Sequence, residues 1–298
     1  MDEGNKFKMK NLIKNQKLAN YNWFNLGGPA EVFYKANSIN ELTGFLKTIS
    51  SNNKKIHILG AGSNTLFRDG GFEGTVIKLG KNFSYCKLLN DGEIEVGAAT
   101  LDRKLSDFAS SKSLSGFEFL SCIPGSVGGS IMMNSGCYGE DISGIFLSVK
   151  TIDYNGKIKI FDKNQIKFFY RGNNLKKNLI ILSAVFKGMK VDKDRVISKQ
   201  NELIIKKKNT QPSRVKTCGS TFKNPLNEKK AWELIKMSGC ENLKVGGASI
   251  SKKHCNFFLN NGDARSSDIE RLIFLVQEKV FEKTGKKLEL EIKIIGKK

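Results

Sequence analysis

Between Gly116 and Gly144 the chain carries seven glycines among apolar residues, and this composition strongly limits how it can fold. Glycine loses more conformational entropy on folding than any other residue, so the segment cannot be regular helix or strand throughout. A mobile surface loop would tolerate the glycines, but Ile123, Val127 and Ile131 are too apolar for one. We therefore expect an ordered segment whose folding cost is offset by a long bound ligand with a diphosphate and a flat ring system.

A second loop, Gly60-Ala61-Gly62-Ser63-Asn64, directly follows a predicted strand at Ile56–Leu59. Its small residues let backbone N–H groups approach an anion closely, as a phosphate-binding nest requires. The loop is not a Rossmann fingerprint, because Thr65 and Leu66 occupy the positions where the third glycine of G-x-G-x-x-G would fall. Taken alone, it would be interpreted as an ordinary turn at the end of a strand.

The remaining pattern predicts a mixed α+β chain. Ser38 and Glu41 form a capping box before a helical repeat, and Asn155-Gly156 is a strong hairpin signal. Periodicity predicts further strands and helices. The strands are Thr75–Leu79, Glu93–Val96, Leu179–Phe186 and Leu288–Ile294. The helices are Leu101–Ser111, one from Asp192 or Asp194 to Lys208, Glu228–Met237, and one that Ser266 or Ser267 caps and that extends to Phe281. The character of the sequence changes near residue 190, so we expect a boundary there; the further division into 1–80, 81–190 and 191–298 follows from the resemblance described below.

The formal charge of +21 raises the possibility of a nucleic-acid-binding module. Almost all the basic residues are lysines spread along the chain, whereas proteins that read DNA bases rely on arginine forks. Most of the 20 phenylalanines occupy apolar periodic positions and do not form a basic face on which bases could stack. We interpret the charge as surface composition and expect no nucleic-acid partner.

No apolar run approaches the 18 or so residues that a membrane span needs, and no secretory h-region is visible. We therefore expect a cytoplasmic monomer without membrane insertion. We also expect no metal site, because no C-x-x-C pair occurs and the chain has only two histidines. We interpret the six cysteines as reduced thiols that mostly act as small fillers, at Cys86, Cys122, Cys137, Cys218, Cys240 and Cys255.

Six segments, in the same order along the chain, resemble the UDP-N-acetylenolpyruvoylglucosamine reductases. Together they extend from about residue 20 to the C-terminus, so the resemblance covers nearly the whole chain. The segments are NWFNLGGPA (22–30), LGAGSNTLFRDGGFEGTVIKLG (59–80), GFEFLSCIPGSVGGSIMMNSGCYGED (116–141), FFYRGN (168–173), CGSTFKNP (218–225) and LELEIKIIG (288–296).

The resemblance implies a fold, a reaction and two cofactors. The fold is an FAD-binding module of the vanillyl-alcohol-oxidase type, followed by a smaller α+β substrate-binding domain. The reaction is the NADPH-dependent, FAD-mediated reduction of UDP-N-acetylglucosamine enolpyruvate to UDP-N-acetylmuramate, a peptidoglycan precursor, with FAD bound non-covalently. No tyrosine follows Tyr170, so the chain is similar to shorter members that lack a Tyr-bearing loop. Cys122 replaces a glycine common in relatives, and Met132 replaces an arginine found in some.

The matching motif positions also imply the site residues. Arg171 would polarise the substrate carboxylate, Ser220 would donate a proton and Glu291 would be an acidic partner. Strand alternation puts Glu291 on one side with Glu289, so a solvated strand face is the ordinary alternative. The implied FAD contacts are Gly60, Ala61, Gly62, Ser63, Asn64, Ile123, Pro124, Gly125, Ser126, Gly128, Gly129, Asn134 and Gly136.

Four further residues are candidates for binding the nucleotide-sugar substrate. Lys223 and Asn224 follow Ser220 in the CGSTFKNP motif, where they would contact the diphosphate or carboxylate of the substrate. Arg214 and His254 are weaker candidates, and a single histidine in such a context is more often structural. Another FAD oxidase of the same fold would share the glycine loops but would have no reason to carry CGSTFKNP or the terminal LELEI.

Overall fold

The computed structural model describes residues 11–49, 55–90, 92–226 and 228–298. Its mixed helix and strand content confirms the α+β class. The helices are α1 Ile39–Ile49, α2 Asp102–Ser111, α3 Val127–Met133, α4 Ile142–Ile145, α5 Lys193–Thr210, α6 Ala231–Met237 and α7 Ser266–Thr284. The strands are β1 Leu12–Lys17, β2 Pro29–Ala36, β3 Ile56–Ile58, β4 Thr65–Phe67, β5 Phe72–Leu79, β6 Cys86–Leu88, β7 Glu93–Gly97, β8 Leu114–Ser115, β9 Gly136–Cys137, β10 Glu140–Asp141, β11 Phe146–Asp153, β12 Ile158–Asp162, β13 Phe168–Phe169, β14 Gly172–Asn173, β15 Leu179–Lys187, β16 Met189–Lys190, β17 Lys244–Val245, β18 Ala248–Ile250, β19 Phe258–Asn260 and β20 Lys293–Ile295.

The first sheet has the strand order β1-β2-β5-β3. Strands β2, β5 and β3 are parallel, with β5 between the other two, and α1 provides the crossover from β2 to β3 that parallel strands require. The apolar residues of α1 face the sheet, where Phe45 stacks on Tyr34 with ring centroids 3.8 Å apart. The predicted N-terminal cap of this helix is present, since the Glu41 N–H donates to Ser38 Oγ at 3.1 Å.

The second sheet is antiparallel, with the order β12-β11-β15-β7-β6. The predicted hairpin at Asn155-Gly156 joins β11 and β12, and the Gly156 N–H closes the turn on the Asp153 carbonyl at 2.9 Å. The apolar residues of β7, β11 and β15 form one core with α2 and α3. The glycine-rich segment contributes Val127 and Ile131 to this core, and this packing holds the segment in place.

In the C-terminal part, α7 packs on the small sheet β17-β18-β19, and α6 packs on α7. Ile269, Leu272 and Val276 of α7 are fully buried, as the amphipathic stripe predicts. Phe281, which apolar periodicity assigns to the same stripe, is 49% exposed, because one position after the fully buried Val280 it points about a quarter turn away from the stripe. Phe24 and Leu66 from the N-terminal part complete this core, so the two parts of the chain interlock.

Several predicted elements differ from the structure at their ends, and two of these differences have a clear cause. The last strand was predicted over Leu288–Ile294, but only β20 is formed, parallel to β4. Leu290 makes a single bridge to Phe222, because the chain there crosses from residue 222 to β4 and cannot pair with one neighbour along its length. Helix α6 begins three residues later than predicted, where the Glu233 carboxylate caps the Lys230 N–H at 2.8 Å.

The predicted division at 80 and 190 stays a prediction. Helix α5, just after the second boundary, packs on α2 and on the turn at Glu118–Cys122. Its Gln200 amide donates to Asp107 Oδ1 at 2.8 Å. No helix within the described residues has the length and hydropathy required to cross a membrane.

Candidate active site

The two glycine-rich loops meet in space. A Cβ on Gly60 would lie 2.6 Å from the hydroxyl oxygen of Ser126, so the backbones of the two loops are as close as the missing side chain allows. Leu101 forms an isolated bridge with Ser126, which ties the second loop to the start of α2. The loops that the sequence singled out separately therefore form one surface.

This surface offers unpaired backbone donors. The N–H groups of residues 60–64 donate no hydrogen bond to another described residue, and those of Gly125 and Ser126 likewise donate none. A Cβ on Gly129 would meet only Ser126 Oγ, at 3.6 Å, so the space above it is open. Free N–H groups on a backbone without side chains form a nest for an anion such as a diphosphate. The residues therefore fit the phosphate-bearing part of FAD.

A cavity of about 450 Å³ opens beside the first loop. Ala61 and Lys78 line it, together with Trp23, whose indole is 46% exposed. An exposed aromatic face next to such a nest of backbone N–H groups suits a flat heterocycle joined to a diphosphate. Of these residues, only Ala61 belongs to the predicted FAD contacts.

Asn134 and Gly136 of the second loop form hydrogen bonds with the segment that carries Arg171. Asn134 ends α3 in the left-handed conformation at φ 42°, and its amide donates to the Phe169 carbonyl at 3.3 Å. The Gly136 carbonyl accepts from Arg171 Nη2 at 3.2 Å. In the structure, both predicted FAD contacts therefore position the strand that precedes Arg171 or the arginine itself.

Arg171 and Glu291 form an ion pair across 120 residues of sequence. Arg171 Nε donates to Glu291 Oε1 at 2.7 Å, and the side chains are 18% and 17% exposed. Arg171 has φ 59°, an unusual conformation for a residue with a side chain, and its guanidinium lies 4.9 Å from the ring centroid of Tyr170. Nη1 makes no hydrogen bond to another described residue, so one edge of the guanidinium is available to a ligand.

Glu291 and Glu289 differ although they are two residues apart. The Glu289 side chain is 77% exposed and pairs with Lys223 at 3.2 Å. Glu291 is largely enclosed, and burial raises its pKa above the ordinary value, against the attraction of Arg171. The solvated-face interpretation is therefore wrong for Glu291, because the FAD-binding part of the chain covers it.

The backbone beside Ser220 is hydrogen-bonded to the backbone of Glu291. The carbonyl of its neighbour Thr221 accepts from the Glu291 N–H at 2.9 Å, while the Asn64 amide donates to the Glu291 carbonyl at 3.1 Å. Gly219, at φ 78°, provides the turn before Ser220. The Ser220 hydroxyl makes no hydrogen bond to another described residue. The structure thus joins Arg171, Glu291 and the first glycine loop directly, and it places Ser220 one residue from the backbone contact with Glu291.

Lys223 and Asn224 lie at the edge of the same site. The Asn224 N–H donates to the Tyr170 hydroxyl at 3.2 Å, and Asn224 Oδ1 accepts from the Ala231 N–H at 3.1 Å, at the start of α6. The sequence interpretation missed Tyr170 as a site residue, although it directly precedes Arg171 in FFYRGN. It also could not predict that Asn64 joins the first loop to Glu291.

The two weaker candidates lie differently. Arg214 is exposed and makes no hydrogen bond or ion pair with another described residue. His254 packs on Phe257 with ring centroids 4.8 Å apart, and its Nδ1 accepts from the Asn256 N–H at 3.3 Å. Burial lowers the pKa of His254, so the ring favours its neutral form. The structure joins neither residue to Arg171 or Glu291.

Comparisons with known proteins cover both parts of the chain. Residues 30–162 match a model of an FAD binding domain, and residues 211–295 match the C-terminal domain of UDP-N-acetylenolpyruvoylglucosamine reductase. The reductase of Pelagibacter ubique is 47% identical over 280 residues, which are 93% of this chain and 92% of that protein. The Rickettsia massiliae reductase is 46% identical over 286 residues, or 95% of each chain.

A solved structure shows the same architecture. The crystal structure of the UDP-N-acetylenolpyruvylglucosamine reductase from Thermus caldophilus superposes with a TM-score of 0.81 at 30% identity. The match covers 95% of this chain and 98% of that one. This confirms the predicted order of an FAD-binding module followed by a second α+β domain. The chain therefore belongs to the UDP-N-acetylenolpyruvoylglucosamine reductase family and is a flavin-dependent oxidoreductase.

Proposed function

We propose that this chain reduces UDP-N-acetylglucosamine enolpyruvate to UDP-N-acetylmuramate for peptidoglycan synthesis, with NADPH as the electron source and non-covalent FAD. The observation that carries the proposal is the Arg171–Glu291 pair at 2.7 Å, joined to the glycine loops through Asn64 and Gly136. The names of the relatives supply the substrate class. An enolpyruvyl ether carries a carboxylate beside its reactive double bond, and this group suits an arginine with a free edge.

Bound FAD would supply the hydride that adds to the terminal carbon of the double bond. Arg171 would then stabilise the negative charge that develops on the neighbouring carbon and its carboxylate. Its Nε is held by Glu291 and its Nη2 by the Gly136 carbonyl, so the guanidinium needs no reorientation. A preorganised donor of this kind typically contributes about 3 kcal/mol to transition-state stabilisation.

Ser220 would donate the proton to the carbon that bears the carboxylate. Its hydroxyl makes no hydrogen bond within the described part of the chain and lies on the segment that is bonded to Glu291. A neutral serine is a weak acid, so the proton has to be replaced from a neighbouring group. Glu291, whose pKa is raised by burial, is suited to hold a proton close to Ser220.

Lys223 and Asn224 would bind the diphosphate or carboxylate of the substrate at the rim, with Arg214 and His254 as more distant candidates. Lys223 already pairs with an exposed carboxylate, which a more highly charged phosphate could displace. We further propose that the protein acts in the cytoplasm as a monomer without a nucleic-acid partner. Both nucleotide substrates are small cytosolic anions, and the excess of lysine would attract them.

Stopped-flow absorbance on the two half-reactions tests the proposal. Flavin reduction by NADPH needs no proton from Ser220, whereas reoxidation by the enolpyruvyl substrate does. Ser220→Ala should therefore leave the first step nearly unchanged and slow the second by roughly 10²–10⁴-fold. Ser213→Ala, an exposed serine in the same segment, is the control. Wild-type reoxidation in Ser220→Ala would show that Ser220 is not the donor, and a flavin that only molecular oxygen reoxidises would point to an oxidase of the same fold.

A further inference from the structure

Two carbonyl groups of the first glycine loop are held by backbone donors from other parts of the chain. The Gly62 carbonyl accepts from the Trp23 N–H at 3.1 Å and also from the Cys218 thiol at 3.7 Å. The Asn64 carbonyl accepts from the Lys293 N–H at 2.9 Å. Both peptide units therefore keep a backbone partner whatever side chains surround them.

The Gly60 carbonyl, in contrast, is held by a side chain alone. Lys78 Nζ donates to it at 2.5 Å, and no backbone N–H of a described residue does so. Lys78 lies in β5, where Ile77 is the register partner of Ile58 in β3, so the lysine is beside the residues at which the loop begins. The C=O and the following N–H of a trans peptide unit point in opposite directions. The Ala61 N–H, which has no partner within the described ranges, therefore points away from Lys78.

The ammonium group of Lys78 has no acidic partner in the part of the chain that the structure describes. The lysine is only partly exposed, and it lines the cavity of about 450 Å³ beside the loop. Burial lowers its pKa, and so does the charge of Lys35, its register partner on β2. A partly enclosed cation without a counter-ion is unfavourable in the apoprotein, so an anion bound nearby would compensate its charge.

We propose that Lys78 is a positioning residue for the diphosphate of FAD and acts on it through the peptide unit between Gly60 and Ala61. Because the ammonium group holds the Gly60 carbonyl, the Ala61 N–H stays directed towards the anion. Without this hydrogen bond the peptide unit is free to rotate and to turn a carbonyl oxygen towards the phosphates, which repel it. The inference rests on FAD binding and is independent of which substrate reoxidises the flavin.

Titration of the full-length apoprotein with FAD tests this role, and quenching of flavin fluorescence gives the Kd. Lys78→Met keeps most of the side-chain volume but removes the donor and the charge. The Kd for FAD should rise roughly 10- to 100-fold, as expected when a hydrogen bond from a charged group is lost. Lys78→Arg keeps both the donor and the charge, and its Kd should stay within about fivefold of the wild-type value.

Lys35→Met is the matched control, because it removes an equal charge from the exposed register partner of Lys78. Its Kd for FAD should change by less than about twofold, since an exposed charge is screened by solvent. Wild-type affinity in Lys78→Met would overturn the proposal. An equal loss of affinity in Lys78→Met and Lys35→Met would also overturn it, because the net charge of the sheet would then be the cause.

Two further measurements separate positioning of the diphosphate from a contribution to the fold. The Tm of apo Lys78→Met should equal or exceed that of the wild type although its FAD affinity falls, because an uncompensated cation has been removed. The phosphorus NMR signals of FAD bound to Lys78→Met should move, and those in Lys78→Arg should return towards the wild-type positions. A lower Tm that Lys78→Arg does not restore, or unmoved phosphorus signals in Lys78→Met, would show that Lys78 only supports the fold.

Discussion

Two enclosed carboxyl groups lie beside the glycine loops, Asp102 at the second loop and Glu291 at the first, and their environments differ in one respect. Asp102, at the start of α2, is fully buried; its Oδ2 accepts from Ser130 Oγ at 2.6 Å and its Oδ1 has no partner among the described residues. Glu291, between the FAD-binding part and the C-terminal part, is paired with Arg171. Burial raises the pKa of both, and that of Asp102 reaches about 7.

The difference shows what burial alone does to an acid and what a cation adds. Without a positive partner, the neutral form of Asp102 is favoured, and the residue serves as a hydrogen-bonded anchor under the second glycine loop. With Arg171 in contact, Glu291 can exist in the charged form and exchange a proton with its surroundings. We therefore interpret Asp102 as a group that stabilises the fold and, under the proposed function, Glu291 as a group that takes part in the reaction. Three experiments test this assignment.

The largest effect is expected from Asp102→Asn on the pH dependence of stability. The carboxyl ionises near 3.8 in the unfolded chain and at about 7 in the folded protein. The folded state therefore binds an extra proton between these values, so the wild type loses stability relative to the variant as pH rises from about 4 to about 7. At about 1.4 kcal/mol per pKa unit the change is at most about 4 kcal/mol, and it levels off above pH 7.

Thermal unfolding of the two apoproteins between pH 4 and pH 8 measures this change. Asp263→Asn, at an exposed aspartate, is the control and should give a difference from wild type that does not vary with pH. A difference between Asp102→Asn and wild type that is also constant over this range would mean that Asp102 ionises normally. The contrast between the two buried carboxyls would then disappear.

The second experiment compares Glu291→Gln with Glu289→Gln. The first variant removes the negative charge that holds Arg171 and the proton that Glu291 can carry, whereas the second changes an exposed carboxylate that pairs with Lys223. We expect reoxidation of the reduced flavin by the substrate to slow about 10²-fold in Glu291→Gln, which corresponds to about 2.7 kcal/mol. The change in Glu289→Gln should stay within about twofold.

Single-turnover reoxidation with saturating substrate gives both rates. Flavin reduction by NADPH should be similar in the two variants, because neither glutamate donates a proton in that step. Equal slowing by both substitutions would mean that the net charge of the terminal segment matters and that the buried position of Glu291 does not. The different positions of the two residues, Glu291 enclosed and Glu289 exposed, would then have no effect on the reaction.

The sequence predicted the parts of this site that depend on local chemistry. Glycine density identified both loops, and apolar periodicity located β15 and α7 within a few residues. It failed for Glu291, whose burial depends on Asn64, 227 positions away, and on Arg171. Alternation along one strand does not show which other element will cover its polar side. For the same reason it could not predict that β20 pairs with β4.

The smallest effect is expected from substituting alanine at two glycines of the second loop. One of them lies against the structural carboxyl of Asp102, and the other lies where we expect the cofactor to bind. A methyl group on Gly129 has open space and would lie where we place the diphosphate, whereas a methyl group on Gly125 would collide with the Asp102 carboxylate. Gly129→Ala should keep or slightly raise the Tm of the apoprotein, since alanine favours helix α3, but weaken FAD binding about tenfold, or by about 1.4 kcal/mol. Gly125→Ala should instead destabilise the apoprotein by about 1–3 kcal/mol. Flavin fluorescence titration measures the FAD affinity of each variant, and thermal melting measures the stability of each apoprotein. An unchanged FAD affinity in Gly129→Ala would show that the diphosphate does not lie against α3.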